Sequence, residues 1–133
     1  MSAKVLDSYA LVAYFRGEPG AVLVRDLLHK AAVADKPLYM TEINYAEVKY
    51  IILRKDGDQA WVESAKVLET LPIEFSPATR VLADAAADYK SRYSLSLADA
   101  FAAALTKEKK AELVTGDPEF KPLEKEIKVV WLK

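Results

Sequence analysis

Short apolar stretches alternate with longer segments of helical spacing along this chain, and turn residues separate them. Residues 3–7 are apolar and β-branched up to an acid, which predicts a short buried strand, and a helix is expected to begin at Ser8. The turn residues 17–20 (GEPG) interrupt the apolar pattern, which resumes with helical spacing over residues 21–34. The pattern therefore predicts a strand followed by one long helix or a broken pair.

The same alternation continues to the end of the chain. Four further strands are predicted at residues 37–41, 71–75, 111–116 and 127–132. Helices are expected over residues 42–55, 58–70, about 77–92 and 94–110, and a short helical turn over residues 117–126. Gly57 is expected to end one of these helices and Pro77 to open another. This alternation predicts a three-layer α/β domain, with a central parallel sheet of about five short strands flanked by helices.

Size and composition agree with one folded domain. The chain has 133 residues, of which 52% are hydrophobic and 29% are charged. Because it shows no repeat, low-complexity tract or linker, residues 1–133 are expected to form a single domain. No apolar run approaches the ~18 residues that span a bilayer, and no secretory signal pattern is present. We therefore expect a soluble cytoplasmic protein.

The balance of charges excludes a broad basic surface. Nineteen basic and twenty acidic residues leave a formal charge of -1, so any contact with nucleic acid must be local. Two basic clusters could guide a phosphate backbone, although a solvated helix face is the commoner role of such runs. They are Lys49, Arg54 and Lys55, and Lys107, Lys109, Lys110 and Lys121.

Carboxylates are the side chains left to carry chemistry. The absence of cysteine excludes disulfides, thiolate nucleophiles and cysteine-type zinc sites, and it agrees with a reducing cytoplasm. There is no glycine-rich phosphate loop of standard spacing, and the single histidine, His29, is expected on the surface of a helix. A site made only of carboxylate oxygens selects hard cations, so the expected ion is Mg²⁺ or Mn²⁺.

Four acids occupy positions where an acidic residue is unusual or suggests a function, either at the end of a buried strand or inside an apolar helix. Asp7 and Asp117 follow the first and fourth predicted strands, and ligands of open parallel sheets bind outside the carboxyl ends of strands, where the strand order reverses. Glu47 and Asp99 lie inside apolar helical stretches. A lone buried carboxylate there is costly unless it is paired or bound to a metal.

Each acid also has a structural interpretation. Asp7 and Asp117 are good N-caps, the latter with proline at the favoured first helical position. Ser96 and Asp99 form an S-x-x-D pattern that resembles a capping box. Glu47 shares its helix with polar residues that indicate an exposed side. Taken singly these interpretations stay open, whereas the four acids together favour a metal site.

Four blocks of the sequence also carry a resemblance to a known family. They are VLDSYALVAYFRGEPGA, TEINYAEVKY, LSLADAFAAAL and LVTGDPEF. In their order and spacing they resemble the PIN-domain family, in particular the VapC-type toxins of toxin–antitoxin pairs. In the second block, the threonine six residues before the acid selects Glu47 rather than Glu42. Asn44 stands where many relatives have Thr or Ser. Glu119 takes a place where some relatives carry Asp or Asn, so it is not counted as a ligand.

The resemblance implies a Mg²⁺- or Mn²⁺-dependent endoribonuclease with a PIN-like fold. Two acids would hold the main ion directly and two directly or through water: Asp7 and Asp99, and Glu47 and Asp117. Ser8 and Thr115 would orient carboxylates or water. The resemblance further implies the toxin of a VapBC-type pair, an RNA substrate, a VapB-type antitoxin that covers the acidic pocket, and a two-fold homodimer.

Five aromatic residues are candidates for the dimer surface, because aromatic side chains concentrate in the cores of interfaces. They are Tyr9, Tyr14, Phe15, Tyr45 and Tyr50. Packing in the core of the domain is the commoner fate of such residues, so both placements stay open.

Three other functions are weighed against the toxin. A housekeeping PIN nuclease for RNA processing would show the same features, and a catalytically silent PIN-like domain would bind RNA or a protein. A receiver-like phosphoacceptor domain is disfavoured, because the first strand ends in a single acid and the end of the third, residues 74–76, offers no acceptor aspartate. Metal-dependent cleavage separates the nuclease from the silent domain, and a small antitoxin gene directly upstream would favour the toxin.

Overall fold

The computed structural model describes residues 2–132, which contain five short strands. The strands are β1 (Lys4–Leu6), β2 (Leu38–Thr41), β3 (Ile73–Ser76), β4 (Glu112–Thr115) and β5 (Lys128–Trp131). They form one sheet in the order β3-β2-β1-β4-β5, and every neighbouring pair is parallel. The predicted α/β class and its parallel five-stranded sheet are confirmed.

Helices connect the strands as the sequence pattern predicts. They are α1 (Ser8–Arg16), α2 (Ala21–Ala34), α3 (Glu42–Asp56), α4 (Asp58–Leu68), α5 (Arg80–Arg92), α6 (Leu97–Glu108) and a 3₁₀ helix (Pro118–Lys125). Gly17 ends α1 in the left-handed conformation, with a φ of 63°, so residues 8–34 form a broken pair rather than one helix. Within residues 2–132, no helix is both long enough and apolar enough to cross a membrane.

Two helix starts differ from the prediction for the same reason. The expectation that Pro77 opens a helix is wrong, because α5 begins three residues later, where the Thr79 side chain accepts a hydrogen bond from the Leu82 N–H at 3.2 Å. Ser96 likewise caps α6, which begins at residue 97 rather than 94. In both cases the helix starts where a hydroxyl side chain accepts a first-turn N–H, which satisfies one of the donors that has no partner within the helix.

Helices pack on both faces of the sheet. Helices α5 and α6 and the 3₁₀ helix cover one face, and α1 to α4 cover the other. Val5 and Leu113 belong to the first core cluster, whereas their chain neighbours Leu6 and Val114 belong to the second. The central strands β1 and β4 are therefore buried on both faces, as parallel strands between two helical layers must be.

Helix α6 lies in the interior of the protein. Every residue from Ala98 to Thr106 is buried, and five of these nine are alanines, which let the helix approach its neighbours closely. The helix follows β3 and α5 in the chain, and its first turn carries Asp99. A carboxylate is thus carried into the interior by a helix that is otherwise apolar.

The aromatic residues considered for a dimer surface fall into two groups. Tyr14, Phe15 and Tyr45 are half-buried and pack against the core beside α1 to α4. Tyr9 and Tyr50 are 44% and 46% exposed. The dimer surface stays a prediction, with only these two as largely exposed candidates among the five.

Most of the second basic cluster lies far from the ends of the strands where the acids stand. Lys107 lies in the last turn of α6, and Lys109 and Lys110 directly precede β4. These lysines therefore lie at the amino-terminal edge of the sheet, where Lys109 is 4.6 Å from the centre of the Tyr39 ring. His29 is exposed, as expected.

Candidate metal centre

The site begins where the strand order reverses. The chain passes from β1 outward through β2 and β3, and then returns to the other side of β1 as β4. Leu6 is paired with Val114, so the residues that follow these strands leave the sheet side by side. Helix α1 and the 3₁₀ helix both begin in this crevice, which is where open parallel sheets bind ligands.

Asp7 is fixed at the base of the crevice by two hydrogen bonds. It is 1% exposed, and its Oδ1 accepts the Ala10 N–H at 2.9 Å as the N-cap of α1. The Thr115 hydroxyl donates to its Oδ2 and accepts the Asp117 N–H at 3.0 Å. Thr115 thus links two of the acids. The N-cap interpretation of Asp7 describes its geometry correctly, yet each oxygen keeps a further lone pair for a cation.

Two more elements begin at the site with capping bonds. The Ser96 hydroxyl accepts the Asp99 N–H at 3.1 Å, and Asp117 Oδ1 accepts the Glu119 N–H at 2.9 Å. Three N-termini, those of α1, α6 and the 3₁₀ helix, therefore meet at one place. Their partial positive charges favour carboxylates there.

A cleft of about 410 Å³ lies above these groups, and acidic side chains line it. They are Glu18, which follows α1, Glu47 of α3, Asp99, Asp117 and Glu119. One carboxylate oxygen from each of Asp99, Asp117 and Glu119 lies within 4.8 Å of the other two. The structure therefore adds Glu119, which the sequence analysis did not count, to the acids that could hold a metal. Glu119 follows Asp117 by two residues, and its N–H donates to the Asp117 side chain. This short spacing is the local signal that could have identified Glu119 from the sequence.

Burial raises the pKa of Asp7 to about 7. The hydrogen bonds from Thr115 and Ala10 oppose this shift, and the nearby charges of Asp117 and Glu47 add to it. The metal-free carboxyl group therefore carries its proton for part of the time at neutral pH.

Burial also raises the pKa of Asp99 to about 8. The charges of Asp117, Asp7 and Glu47 raise it further, and the hydrogen bond with Ser96 opposes them. Within residues 2–132, no lysine or arginine forms an ion pair with these acids. Buried, uncompensated carboxylates whose donors are all oxygen fit a hard divalent cation, which would displace the protons.

A buried asparagine connects the elements that carry three of the acids. Asn44, on α3 one turn before Glu47, is 0% exposed. Its Nδ2 donates to Ser8 Oγ at 2.9 Å and to the Ala98 carbonyl at 3.2 Å. It therefore ties α3 to the residue after Asp7 and to the residue before Asp99.

The asparagine is held in turn by its own neighbours. Its Oδ1 accepts from the Thr41 hydroxyl, its backbone N–H donates to Thr41 Oγ1 at 2.9 Å, and Ser8 Oγ donates to its carbonyl at 3.3 Å. Ser8 thus bonds to Asn44, whereas Thr115 bonds to a carboxylate. In the sequence, Asn44 was noted only as standing where many relatives have Thr or Ser, and the contacts that explain it span up to 54 positions.

The sequence matches a known domain family. The sequence model of the PIN domain matches residues 4–126. No curated protein matches this sequence.

Several solved structures share the fold at low sequence identity. A chain in the structure of VapBC2 from Rickettsia felis, bound to a DNA fragment from their promoter, has a TM-score of 0.78 at 13% identity, covering 98% of this chain and 99% of that one. A chain of DNA-bound VapBC from Salmonella typhimurium has a TM-score of 0.75 at 12% identity, covering 98% of both. VapC20 of Mycobacterium tuberculosis, a toxin that cleaves the sarcin–ricin loop, has a TM-score of 0.69 at 18% identity, covering 91% and 95%.

The raised pKa values predict that the metal-free protein loses stability as the pH rises from about 4 to about 8. In this interval the folded state keeps protons on Asp7 and Asp99, with pKa values of about 7 and about 8, which the unfolded chain, near 3.8, has released. Because one pKa unit corresponds to about 1.4 kcal/mol, Asp99→Asn should stabilise the metal-free protein at pH 8 by about 1–3 kcal/mol and flatten the pH dependence.

Urea unfolding at pH 5, 6.5 and 8 in chelator measures this effect. Asp84→Asn, an exposed acid on α5, is the control and should leave the curve unchanged. Destabilisation of Asp99→Asn at pH 8 would mean that the carboxylate serves the helix start rather than a metal.

A second prediction concerns the connecting asparagine. Asn44→Ala leaves buried partners unsatisfied, so it should cost about 1–3 kcal/mol of stability. It should also reduce the rise in melting temperature on addition of Mn²⁺, because the acids lose their relative positions. Thr106→Val, which removes a buried hydroxyl that donates to the Ala102 carbonyl near the end of α6, is the control. The same Mn²⁺ response in both variants would show that Asn44 is only structural.

Proposed function

Because the chain belongs to the PIN-domain family, we propose that it is a metal-dependent endoribonuclease whose active site is the carboxylate cleft. The observation that carries the proposal is the meeting of Asp7, Glu47, Asp99 and Asp117 at one crevice, with Glu119 beside them. They come from separate parts of the chain. Since burying acids side by side is unfavourable without a cation, a structural role alone does not account for the set.

The geometry supports a particular set of ligands within this proposal. Asp99, Asp117 and Glu119, which each have an oxygen within 4.8 Å of the other two, would hold Mg²⁺ or Mn²⁺ directly. Asp7 would contribute from below, directly or through water, because both of its oxygens already accept hydrogen bonds. Glu47 lines the cleft from α3 and would orient water.

The chemistry proposed for the site is hydrolysis of an RNA phosphodiester bond. The bound cation would supply a water of lowered pKa and neutralise the scissile phosphate. The protein's own groups keep the cleft geometry fixed: Thr115 holds Asp7 and the N–H of Asp117, and Asn44 holds α3 against α1 and α6. Fixed carboxylates pay little reorganisation cost during the reaction.

The biological role we infer is that of a VapC-type toxin. Support comes from structural neighbours in VapBC systems that span nearly the whole of both chains. On this proposal the protein acts on RNA in the cytoplasm, forms a homodimer, and is inhibited by a VapB-type antitoxin that covers the acidic cleft.

The proposal is tested with purified, antitoxin-free protein and a mixed pool of single-stranded RNA. Cleavage is expected with Mg²⁺ or Mn²⁺ and none with chelator, and Asp99→Asn should reduce the rate by more than about 100-fold, because a ligand matters at least as much as its supporting groups. Asp84→Asn should retain the parental rate. Binding of RNA without cleavage in the presence of either metal would instead support a catalytically silent PIN-like domain.

One lysine of the first basic cluster lies where a phosphate would pass. Glu47, Ile51 and Lys55 follow one another at four-residue spacing and all line the cleft. Lys49 lies 5.7 Å from the Trp61 ring centre, and Arg54 lies above the ring of Tyr50. Of this cluster, Lys55 is therefore the cation on the cleft wall.

Lys55→Gln is expected to raise the KM for RNA about 3- to 10-fold with little change in kcat. If one phosphate contact is lost, the slope of log affinity against log salt should fall by roughly 0.7. Lys49→Gln, on the same helix, is the matched control. Equal effects of both variants on KM and slope would indicate a general charge effect instead of a local contact.

A further inference from the structure

An exposed tyrosine stands at the mouth of the carboxylate cleft. Tyr9, the second residue of α1, is 44% exposed and lines the cleft together with Asp99 and Asp117. Neither its hydroxyl nor its ring takes part in the capping bonds or the asparagine network described above. Tyr9 therefore presents a large aromatic surface beside the acids. The hydrogen bonds that position the acids do not depend on it.

The chain backbone holds the ring in place from below. A Cβ atom at Gly116 would lie 2.3 Å from Tyr9 Cε1 and 2.7 Å from Cζ, so the ring rests directly on the Gly116 backbone. Gly116 lies between Thr115, which binds Asp7, and Asp117, which lines the cleft. The ring thus packs against the same segment that positions two of the acids.

Two aliphatic side chains line the cleft together with the ring. Val12, one turn further along α1, and Ile51 of α3 line the same cleft. The cleft therefore combines carboxylates with an aromatic and aliphatic wall. This combination suits a nucleotide, whose phosphate would be drawn to a cation held by the acids and whose base has a flat face that stacks on aromatic rings.

We propose that Tyr9 is a stacking platform for one base of single-stranded RNA, next to the phosphate in the cleft. This inference deepens the proposed nuclease function and rests on it. An apolar protein segment is a poorer occupant, because it would desolvate the carboxyl groups of Glu47, Asp117 and Glu119. An antitoxin that covers the cleft must therefore bring polar or basic groups to these acids. A bound nucleotide would leave these carboxyl groups in contact with the cation and its water.

Tyr50 provides a matched control within the same chain. It is 46% exposed, close to the value for Tyr9, but it lies on α3 outside the cleft lining, and the Arg54 guanidinium lies 5.5 Å from its ring centre. RNA binding should therefore be weakened by removal of the Tyr9 ring and not by removal of the Tyr50 ring.

The test is equilibrium binding of a fluorescent single-stranded RNA hexamer, measured by anisotropy with Ca²⁺ in place of Mg²⁺. The RNA is checked for integrity after each titration. Tyr9→Ala should weaken binding about 5- to 150-fold, the range expected for one base stacked on an aromatic ring. Tyr9→Phe, which keeps the ring, and Tyr50→Ala should stay close to the parent.

A series of hexamers with one abasic position at a time separates stacking from structural damage. With the parent protein, one abasic position should weaken binding by a factor similar to that of Tyr9→Ala, and with Tyr9→Ala the same position should cost nothing more. An equal loss at all positions in the variant would overturn the inference. So would unchanged RNA binding with an altered oligomeric state, which would place Tyr9 at a protein interface.

The cleavage assay separates this inference from the proposed function. Metal-dependent cleavage with no dependence of binding on Tyr9 would keep the nuclease and overturn the stacking platform. Tyr9-dependent binding at one base position, without cleavage, would keep the platform and overturn the nuclease. Absence of RNA binding by the parent protein would overturn both.

Discussion

The burial of two carboxylates, those of Asp7 and Asp99, beside further acids is the constraint on which this structure depends. In the part of the chain that the structure describes, no lysine or arginine forms an ion pair with them. Desolvation raises the pKa values of Asp7 and Asp99, and the charges of their acidic neighbours raise them further. The surrounding structure reduces this cost with the groups available to it. Three N-termini point at the site, and the hydroxyl of Thr115 donates to a carboxylate. What remains of this cost would favour uptake of the proposed cation.

The fold explains why the acids meet there. In the strand order β3-β2-β1-β4-β5, the chain reverses direction across the sheet between β1 and β4, so residues far apart in sequence leave the sheet side by side. Helix α6 brings Asp99 from inside the helical layer, and its alanines allow the close approach. The buried amide of Asn44 then fixes α3 against α1 and α6. The relative positions of the acids therefore depend on tertiary hydrogen bonds as well as on the sheet.

Much of the site was accessible to sequence reasoning because its signals are local. A strand that ends in an acid, an acid before proline and a polar residue in an apolar helix are each visible within a few positions. The position of α5 was missed because the hydroxyl of Thr79 competes with Pro77 as a helix start. Lys55 could not be separated from Lys49, and the roles of Asn44 and Glu119 could not be assigned. Those distinctions depend on which side of a helix faces the cleft, and on contacts across 36 and 54 positions.

Capping and metal binding are compatible roles for the same carboxylate, although the sequence presents them as alternatives. A capping bond uses one lone pair of one oxygen, and a carboxylate has about four. The N–H donors of Ala10 and Glu119 hold the carboxylates of Asp7 and Asp117 in one orientation and leave other lone pairs for a cation. An acid on a mobile side chain would have to be ordered when the ion binds, and that ordering costs conformational entropy. At this crevice the carboxylates are already ordered in the folded protein, because the hydrogen bonds that start the helices also orient the proposed ligands.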